Sequence, residues 1–568
     1  MKTLKKFTAL FLSALTVMLL CIIPSFAGAE SDKIKFAVAT DIHLKLPDAE
    51  VPVNYPESEL YYHADSSGNL NFEAAGIVKS ALEKAEKNGV DFVMMSGDFA
   101  HNGREDQHRF FASLLEDFQN ESGIPVYIVP GNHDYYDSGV DDLKQYYANL
   151  GLDKAIAVDS ETFSYTADLS DKYRLIAIDS NDPGDDGDGI DDRLFSWIET
   201  QAKVAATDGK TVIATMHHPL LEPIPYAHIL MKDFIVRNYE DVAEKFAQWG
   251  IQYVFTGHEH GNNITSFTGS NGKVVYDILS TALTSYPLEF RMVDMSSSKV
   301  EISMERVTEA DFDYIPASYN DAQRELIKKD YTAYSLGYFK YSVAKKIDRV
   351  IAPESLKRML KADSGVLADA VDTVMPIVIE ALDMPLYEKD TDGVSVEKLA
   401  ASAGAKLPES DYESLMDVIT TVVSVVYRGN EDIPTSASPE GKIVIIALNT
   451  LLKYVLSETG NRVTTDSLNK IASVFGLDSI EYVDLYKWNR ALVLGADNSY
   501  EIATAVLAPL LDKFLLDDGI PDRNAVLGGP GTTEAKAPLF ETFLLRIKEF
   551  FRYIFSIFNA ALIFPVNC

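Results

Sequence analysis

A chain of 568 residues exceeds one typical domain, and with 47% hydrophobic and 24% charged residues it has the balance of a folding protein, which excludes wholesale disorder. Its 51 basic against 85 acidic residues leave a formal net charge of −34, a field that repels polyphosphate backbones and excludes a nucleic-acid scaffold role. The two cysteines, Cys21 and Cys568, leave no internal disulfide framework and no thiolate metal cluster.

Residues 1–29 read as a secretory signal: Lys2, Lys5 and Lys6, an apolar run from Phe7 to Ile23, the breaker Pro24, then Ala27-Gly28-Ala29 with small residues at the cleavage subsites. The segment holds three lysines and no acid, so the chain without it carries −37. An uncleaved membrane anchor is the alternative. In either case the body lies outside the cytoplasm, and export without disulfides suits a bacterium, so the expected place is secreted or cell-surface associated.

Residues 30–306 alternate short apolar runs with helix-like stretches, an α/β pattern. Predicted strands are Lys33 to Thr40, Asp91 to Ser96, Pro125 to Val129, Arg174 to Asp179, Thr211 to Met216 and Ile251 to Thr256. Long segments between several of them suit crossover helices and parallel pairing. The run from Asp182 to Asp192 invites a calcium reading, but as an EF-hand loop it puts Gly184 at position 3 and Arg193 at position 12, so a solvated loop is expected. Ile190, Leu194, Trp197 and Ile198 then space as a helix packing on the sheet.

Residues 307–527 change to helical periods, as in Val366, Leu367, Ala370, Val371, Val374 and Val378, or Leu415, Val418, Ile419, Val422, Val423 and Val426. This region is expected to be a mainly α-helical domain; it carries no readable motif. Residues 528–538 have linker composition, and residues 539–568 form one amphipathic helix with Phe540, Phe543, Leu544, Ile547, Phe550 and Phe551 on its apolar stripe. That helix either packs on the helical domain or touches a membrane surface.

All ten histidines lie at or before His260, which confines imidazole chemistry to the first half. The clusters are Asp41-Ile42-His43, Gly97-Asp98, Gly131-Asn132-His133-Asp134, His217-His218-Pro219 and Gly257-His258-Glu259-His260, each just past one of the apolar runs. In an open α/β sheet such positions line the crevice where ligands bind, so five distant clusters can converge. Hard oxygen and imidazole donors match Mn, Fe or Zn, and they outnumber what one tetrahedral site needs; two metals sharing a carboxylate would use them all.

In that order and strand context the clusters resemble the calcineurin-like metallophosphoesterase superfamily, whose pattern is D-x-H, G-D, G-N-H-D/E, His, then G-H-x-H. The match runs across about residues 34 to 262. The resemblance implies a four-layer αββα sandwich and two divalent or trivalent metal ions (Mn, Fe or Zn). By position, Asp41, His43 and His260 would hold the first metal, Asn132, His217 and His258 the second, with Asp98 bridging. His133 would sit beside the substrate and Asp134 would orient its ring. His217 is taken over His218 on the family habit of using the earlier position of His-x-Pro. The red acid phosphatases of this superfamily place a tyrosine three residues past the bridging aspartate; here that position is His101, so a tyrosinate-bound ferric site is not expected.

Taken singly, each of these histidines would be an ordinary core or surface residue. His63, His101, His108 and His228 have no motif partner and are expected to be packed or solvated, His101 being the one nearest to substrate chemistry.

Two nearby cations would drop a shared water from pKa 15.7 to about 7, giving a bridging hydroxide nucleophile. They would also neutralise phosphoryl oxygens as charge builds, and a protonated His133 would donate to the departing alkoxide. The expected function is an exported dinuclear hydrolase of small phosphate esters, with diesters preferred because Gly-Asn-His-Asp followed by His-His-Pro resembles the cyclic-nucleotide and glycerophosphodiester branch. The alternatives are a phosphomonoesterase, or a non-catalytic metal-binding surface or cell-wall-binding protein.

Overall fold

In the computed structural model, residues 33–46, 60–61, 63–64, 67–182, 187–223, 234–359, 366–387, 395–402, 404–429, 435–459 and 520–531 are described, with isolated positions between 501 and 512. Residues 1–29, residues 539–568 and His228 lie outside them.

Largely apolar runs such as IKFAVA, FVMMS and VYIV exclude water from both faces and so become buried parallel strands. In chain order they and their neighbours are β1 (Ile34–Ala39), α1 (Ala74–Lys87), β2 (Phe92–Ser96), α2 (Glu105–Ser122), β3 (Val126–Val129), α3 (Val140–Tyr146), β4 (Ala155–Val158), β5 (Tyr165–Asp168) and β6 (Tyr173–Ala177). A small hairpin, β7 (Asn181–Asp182) and β8 (Gly187–Asp188), precedes α4 (Asp192–Thr207). Then come β9 (Thr211–Thr215), α5 (Tyr239–Trp249), β10 (Tyr253–Thr256), β11 (Asn263–Thr268), β12 (Val274–Leu279), β13 (Glu289–Met295) and β14 (Lys299–Arg306).

One mixed sheet has the order β14-β13-β1-β2-β3 with β1, β2 and β3 parallel, and a final strand β15 (Ala525–Gly528) pairs antiparallel with β14 at its edge. The other runs β11-β12-β10-β9-β6-β5-β4, parallel from β12 to β6 and antiparallel toward both edges. The sheets meet face to face: Phe36 of β1 stacks on Phe92 at 4.7 Å and takes Phe255 of β10 edge-on at 5.4 Å. Near the strand ends the Ser96 and Thr215 hydroxyls join them at 2.8 Å.

Helices cover the outer faces. On the first sheet α1 buries Ile77, Val78, Ala81 and Leu82, and α2 buries Phe111 and Leu115. On the second, α4 buries Leu194, Ile198, Ala202 and Ala205, and α5 buries Val242, Ala243 and Phe246. The expected helix after the acidic run is α4, and Asp191 caps it by accepting from Leu194 N at 2.6 Å, a bond worth about 1 kcal/mol. This is the αββα sandwich.

The following region is helical: α6 (Asp321–Lys329), α7 (Tyr331–Ile351), α8 (Pro353–Met359), α9 (Val366–Asp383), α10 (Val396–Ser402), α11 (Leu415–Arg428) and α12 (Pro439–Thr459). α9 to α12 share a core of Leu382, Ala400, Val418, Ile443 and Ile446, whereas Ile327 of α6 and Tyr331, Tyr334 and Tyr338 of α7 join the sandwich core. Residues 525–527 join the first sheet as part of β15. The segment before that strand is tied to the sandwich as well: Ile264 N donates to Asp522 Oδ1 at 2.9 Å, and Arg523 Nη2 donates to Glu289 Oε1 at 2.7 Å. Among the described residues no helix is long and apolar enough to cross a membrane.

Candidate metal centre

The C-terminal ends of β1, β2, β3, β9 and β10 open to one side, and the five histidine- and aspartate-bearing segments follow directly. Seven described non-glycine residues have positive φ, and five are Asp41 (54°), His43 (47°), Asp98 (55°), His258 (77°) and His260 (59°). A left-handed residue other than glycine costs on the order of 1–3 kcal/mol, and it persists only where its surroundings over-determine it. Here they do: Asp41 N donates to Gly97 O at 3.0 Å, His43 N to Asp98 O at 2.8 Å, and Gly257 N to His217 O at 2.8 Å. The motif glycines permit the approach, since a Cβ on Gly131 would collide with Asp98 Oδ1 and one on Gly257 with Thr40 Oγ1.

Ring nitrogens and carboxylates converge. His43 Nε2 lies 3.1 Å from His260 Nε2, and His260 Nε2 lies 3.4 Å from Asp41 Oδ1. His217 Nε2 lies 3.1 Å from both Asn132 Oδ1 and His258 Nδ1. Asp98 Oδ2 stands between the two groups, 3.4 Å from His43 Nε2 and 3.4 Å from His217 Nε2. His217 Nδ1 donates to Ser96 O at 2.8 Å, which leaves its Nε2 lone pair aimed at other acceptors. An acceptor ringed by acceptors is unfavourable alone and is what a cation requires, so this donor set fits metal ions.

With no cation bound, protonated imidazole supplies the balancing charge, and a metal ion would displace the proton from His217 Nε2. Burial would raise the Asp41 and Asp98 carboxyls, but the surrounding histidines outweigh it, and both are held well below the usual carboxylate range. Burial pushes His217 down, yet Asp98 and Asp41 draw it up to about 10. His258 is held well below the usual imidazole range, first by burial and then by His218 and His217. His43 is also lowered, chiefly by burial.

The motif residues named from the sequence all lie within the described residues. Asp41, His43 and His260 form one group that could hold an ion, and Asp41, Asp98 and His217 another. His217, His218 and His258 form a further such group, as do His43, His101 and His133, and His218 also places its Nδ1 2.8 Å from Ser180 Oγ. His133 is beside the cluster: its N–H donates to Asp98 Oδ1 at 2.9 Å, its Nδ1 to His101 O at 2.8 Å, and its ring stands perpendicular to His43 at 4.5 Å.

The expectation that Asp134 orients the His133 ring is corrected, because the His101 carbonyl does so. The two residues share a single 3-10 turn, Asn132–Tyr135, where successive side chains fan roughly 120° apart. Asp134 therefore turns inward and accepts from Phe99 N (3.0 Å), Ala100 N (2.9 Å) and Gly131 N (2.8 Å), pinning the Asp98 loop to the Asn132 loop. Burial and the Asp98 charge push its carboxyl up, to about 8.

His108 is packed, paired with Tyr147 OH at 2.7 Å, and His63 pairs with Tyr319 OH at 3.0 Å. His101 lies 5.6 Å ring to ring from His133 and 5.7 Å from His43. Sequence reasoning missed two aromatic rings at the rim. Tyr136, 62% exposed, lies 4.5 Å from His133, and Phe234, 44% exposed, lies 5.0 Å from His258. Tyr136, at the end of the Asn-His-Asp block, was findable; Phe234 has no local signal.

Residues 34–262 match the calcineurin-like phosphoesterase family. A protein of Rhodococcus erythropolis named "Probable cyclic nucleotide phosphodiesterase" is 28% identical over 38% of this chain and 64% of its own length. One so named from Fibrobacter succinogenes is 30% identical over 32% of this chain and 62% of its own. A "Probable glycerophosphodiester phosphodiesterase GpdQ" of Arcobacter nitrofigilis is 24% identical over 35% and 68%. The chain thus spans under two thirds of the length of the first two.

Proposed function

From a chain whose residues 34–262 form a calcineurin-like phosphoesterase domain, we propose an exported hydrolase of small phosphate esters that uses two metal ions (Mn, Fe or Zn) and prefers diesters. The observation that carries the reading is the Asp98 oxygen equidistant, at 3.4 Å, from His43 Nε2 and His217 Nε2. Asp41, His43 and His260 would hold one ion and Asn132, His217 and His258 the other, with Asp98 shared. When bound, such ions would supply an acidified water as nucleophile and neutralise phosphoryl charge in the transition state.

The remaining work falls to the chain. Asp98 fixes the His133 backbone through Oδ1, and the His101 carbonyl holds Nδ1–H, so the acid proton resides on Nε2. Giving it to the departing alkoxide leaves a neutral ring with its Nδ1–H bond intact. Asp134 serves this by holding the loop, not the ring.

The names of the relatives support the diester preference, and the exposed rings of Tyr136 and Phe234 offer a planar ester substituent a face to stack on. Export rests on the character of residues 1–29 alone.

The test is turnover of bis(4-nitrophenyl) phosphate and 4-nitrophenyl phosphate by the purified protein with added Mn²⁺. Faster diester cleavage is expected. Faster monoester cleavage would favour the phosphomonoesterase, and no turnover of either with metal bound would favour the non-catalytic binding protein.

A further inference from the structure

The loop that carries His258 and His260 is strained at both histidines, with φ of 77° and 59°. Part of its bracing comes from within the sandwich: Thr281 Oγ1 donates to His260 O at 2.6 Å, Thr281 N to Asn262 Oδ1 at 3.1 Å, and His258 N to Asp41 Oδ2 at 2.9 Å.

The rest comes from the helical region. Asn262 N donates to Tyr427 O at 3.0 Å and Asn262 Nδ2 to Arg428 O at 3.1 Å. Those two carbonyls are the last of α11, among the groups a helix cannot satisfy by itself. One buried asparagine, two residues past His260, thus completes the helix end with both of its donors. The helix is in turn seated on α7: Phe339 meets the Tyr427 ring near its C-terminal end at 5.2 Å, while Lys340 pairs with Asp417 in its first turn and donates to Thr421 Oγ1 at 2.9 Å.

We infer that Asn262 is a positioning residue, through which the C-terminal end of α11 holds His258 and His260 in ligand-ready geometry. The helical region is then a structural part of the metal centre and sets its affinity for cations. The inference rests on the reading that those histidines bind metal, and it gives the motif-free half of the chain a task.

The experiment is calorimetric Mn²⁺ titration of the metal-free full-length protein, comparing wild type with Asn262→Ala and Asn262→Asp. Alanine removes both side-chain bonds; aspartate keeps the acceptor for Thr281 N and loses only the donor to α11. Both variants are expected to bind Mn²⁺ about 10- to 100-fold more weakly, with turnover recovered at saturating Mn²⁺. Aspartate adds a charge that by itself attracts cations, so weakening there reads the lost helix bond. Affinity in Asn262→Ala within about twofold of wild type would overturn the inference. If that variant does not fold, Asn262→Asp decides, and binding equal to or tighter than wild type overturns it. A wild-type protein that binds no Mn²⁺ would overturn the metal-site reading beneath it, a result distinct from either.

Discussion

His43 and His217 meet across a single atom, each presenting Nε2 3.4 Å from the same Asp98 oxygen. Asp98→Asn keeps the shape and removes the charge that both groups share. We predict metal content below two per chain and kcat/KM lower by at least about 10²-fold, checked by elemental analysis beside turnover. Two retained ions with full activity would contradict the shared role.

His133 touches the cluster through its backbone and the neighbouring His43 ring. His133→Ala should keep both metals and slow esters with poor leaving groups by about 10²- to 10⁴-fold, with activated aryl esters much less affected. Equal losses on both, measured as a leaving-group series, would remove the acid role.

Tyr136 is more exposed than a ring of its size usually is, yet lies against His133. Stacking on such a face is worth about 1–3 kcal/mol per base, so Tyr136→Ala should lower kcat/KM about 10-fold or more for nucleotide diesters and leave alkyl diesters nearly unchanged. A uniform effect would refute stacking.

Glu73 is buried under Tyr334, whose hydroxyl donates to Oε1 at 3.1 Å, and burial pushes its carboxyl up to about 7 from an ordinary 4.5. The folded protein then keeps a proton that the unfolded chain releases, so this contribution is complete below about pH 4.5 and is lost as pH rises through 7. The loss is on the order of 3 kcal/mol. Urea midpoints from pH 5 to 8 should fall more steeply for wild type than for Glu73→Gln; equal slopes would contradict it.

The interior of the sandwich was legible because parallel strands buried on both faces are unbroken apolar runs: Phe92–Ser96 and Val126–Val129 fall inside their expected spans. β13 escaped because it carries Glu289, Arg291 and Asp294. Arg291 is satisfied by tertiary contacts, among them Leu279 O, Ser280 Oγ and Asp522 O. β15 escaped because its pairing partner lies far upstream. The cluster was visible through glycine-punctuated motifs whose backbone needs are local. Asp134 shows the limit, since adjacency in a 3-10 turn is not contact, and the Asn262 bonds to α11 leave no trace in spacing.

The central claim is a pair of ions around one carboxylate. Its most direct test is electron paramagnetic resonance of the metal-free protein titrated with Mn²⁺, counting ions per chain. The account predicts two per chain and the spectrum of an exchange-coupled pair; saturation at one ion, or two with uncoupled spectra, would contradict it.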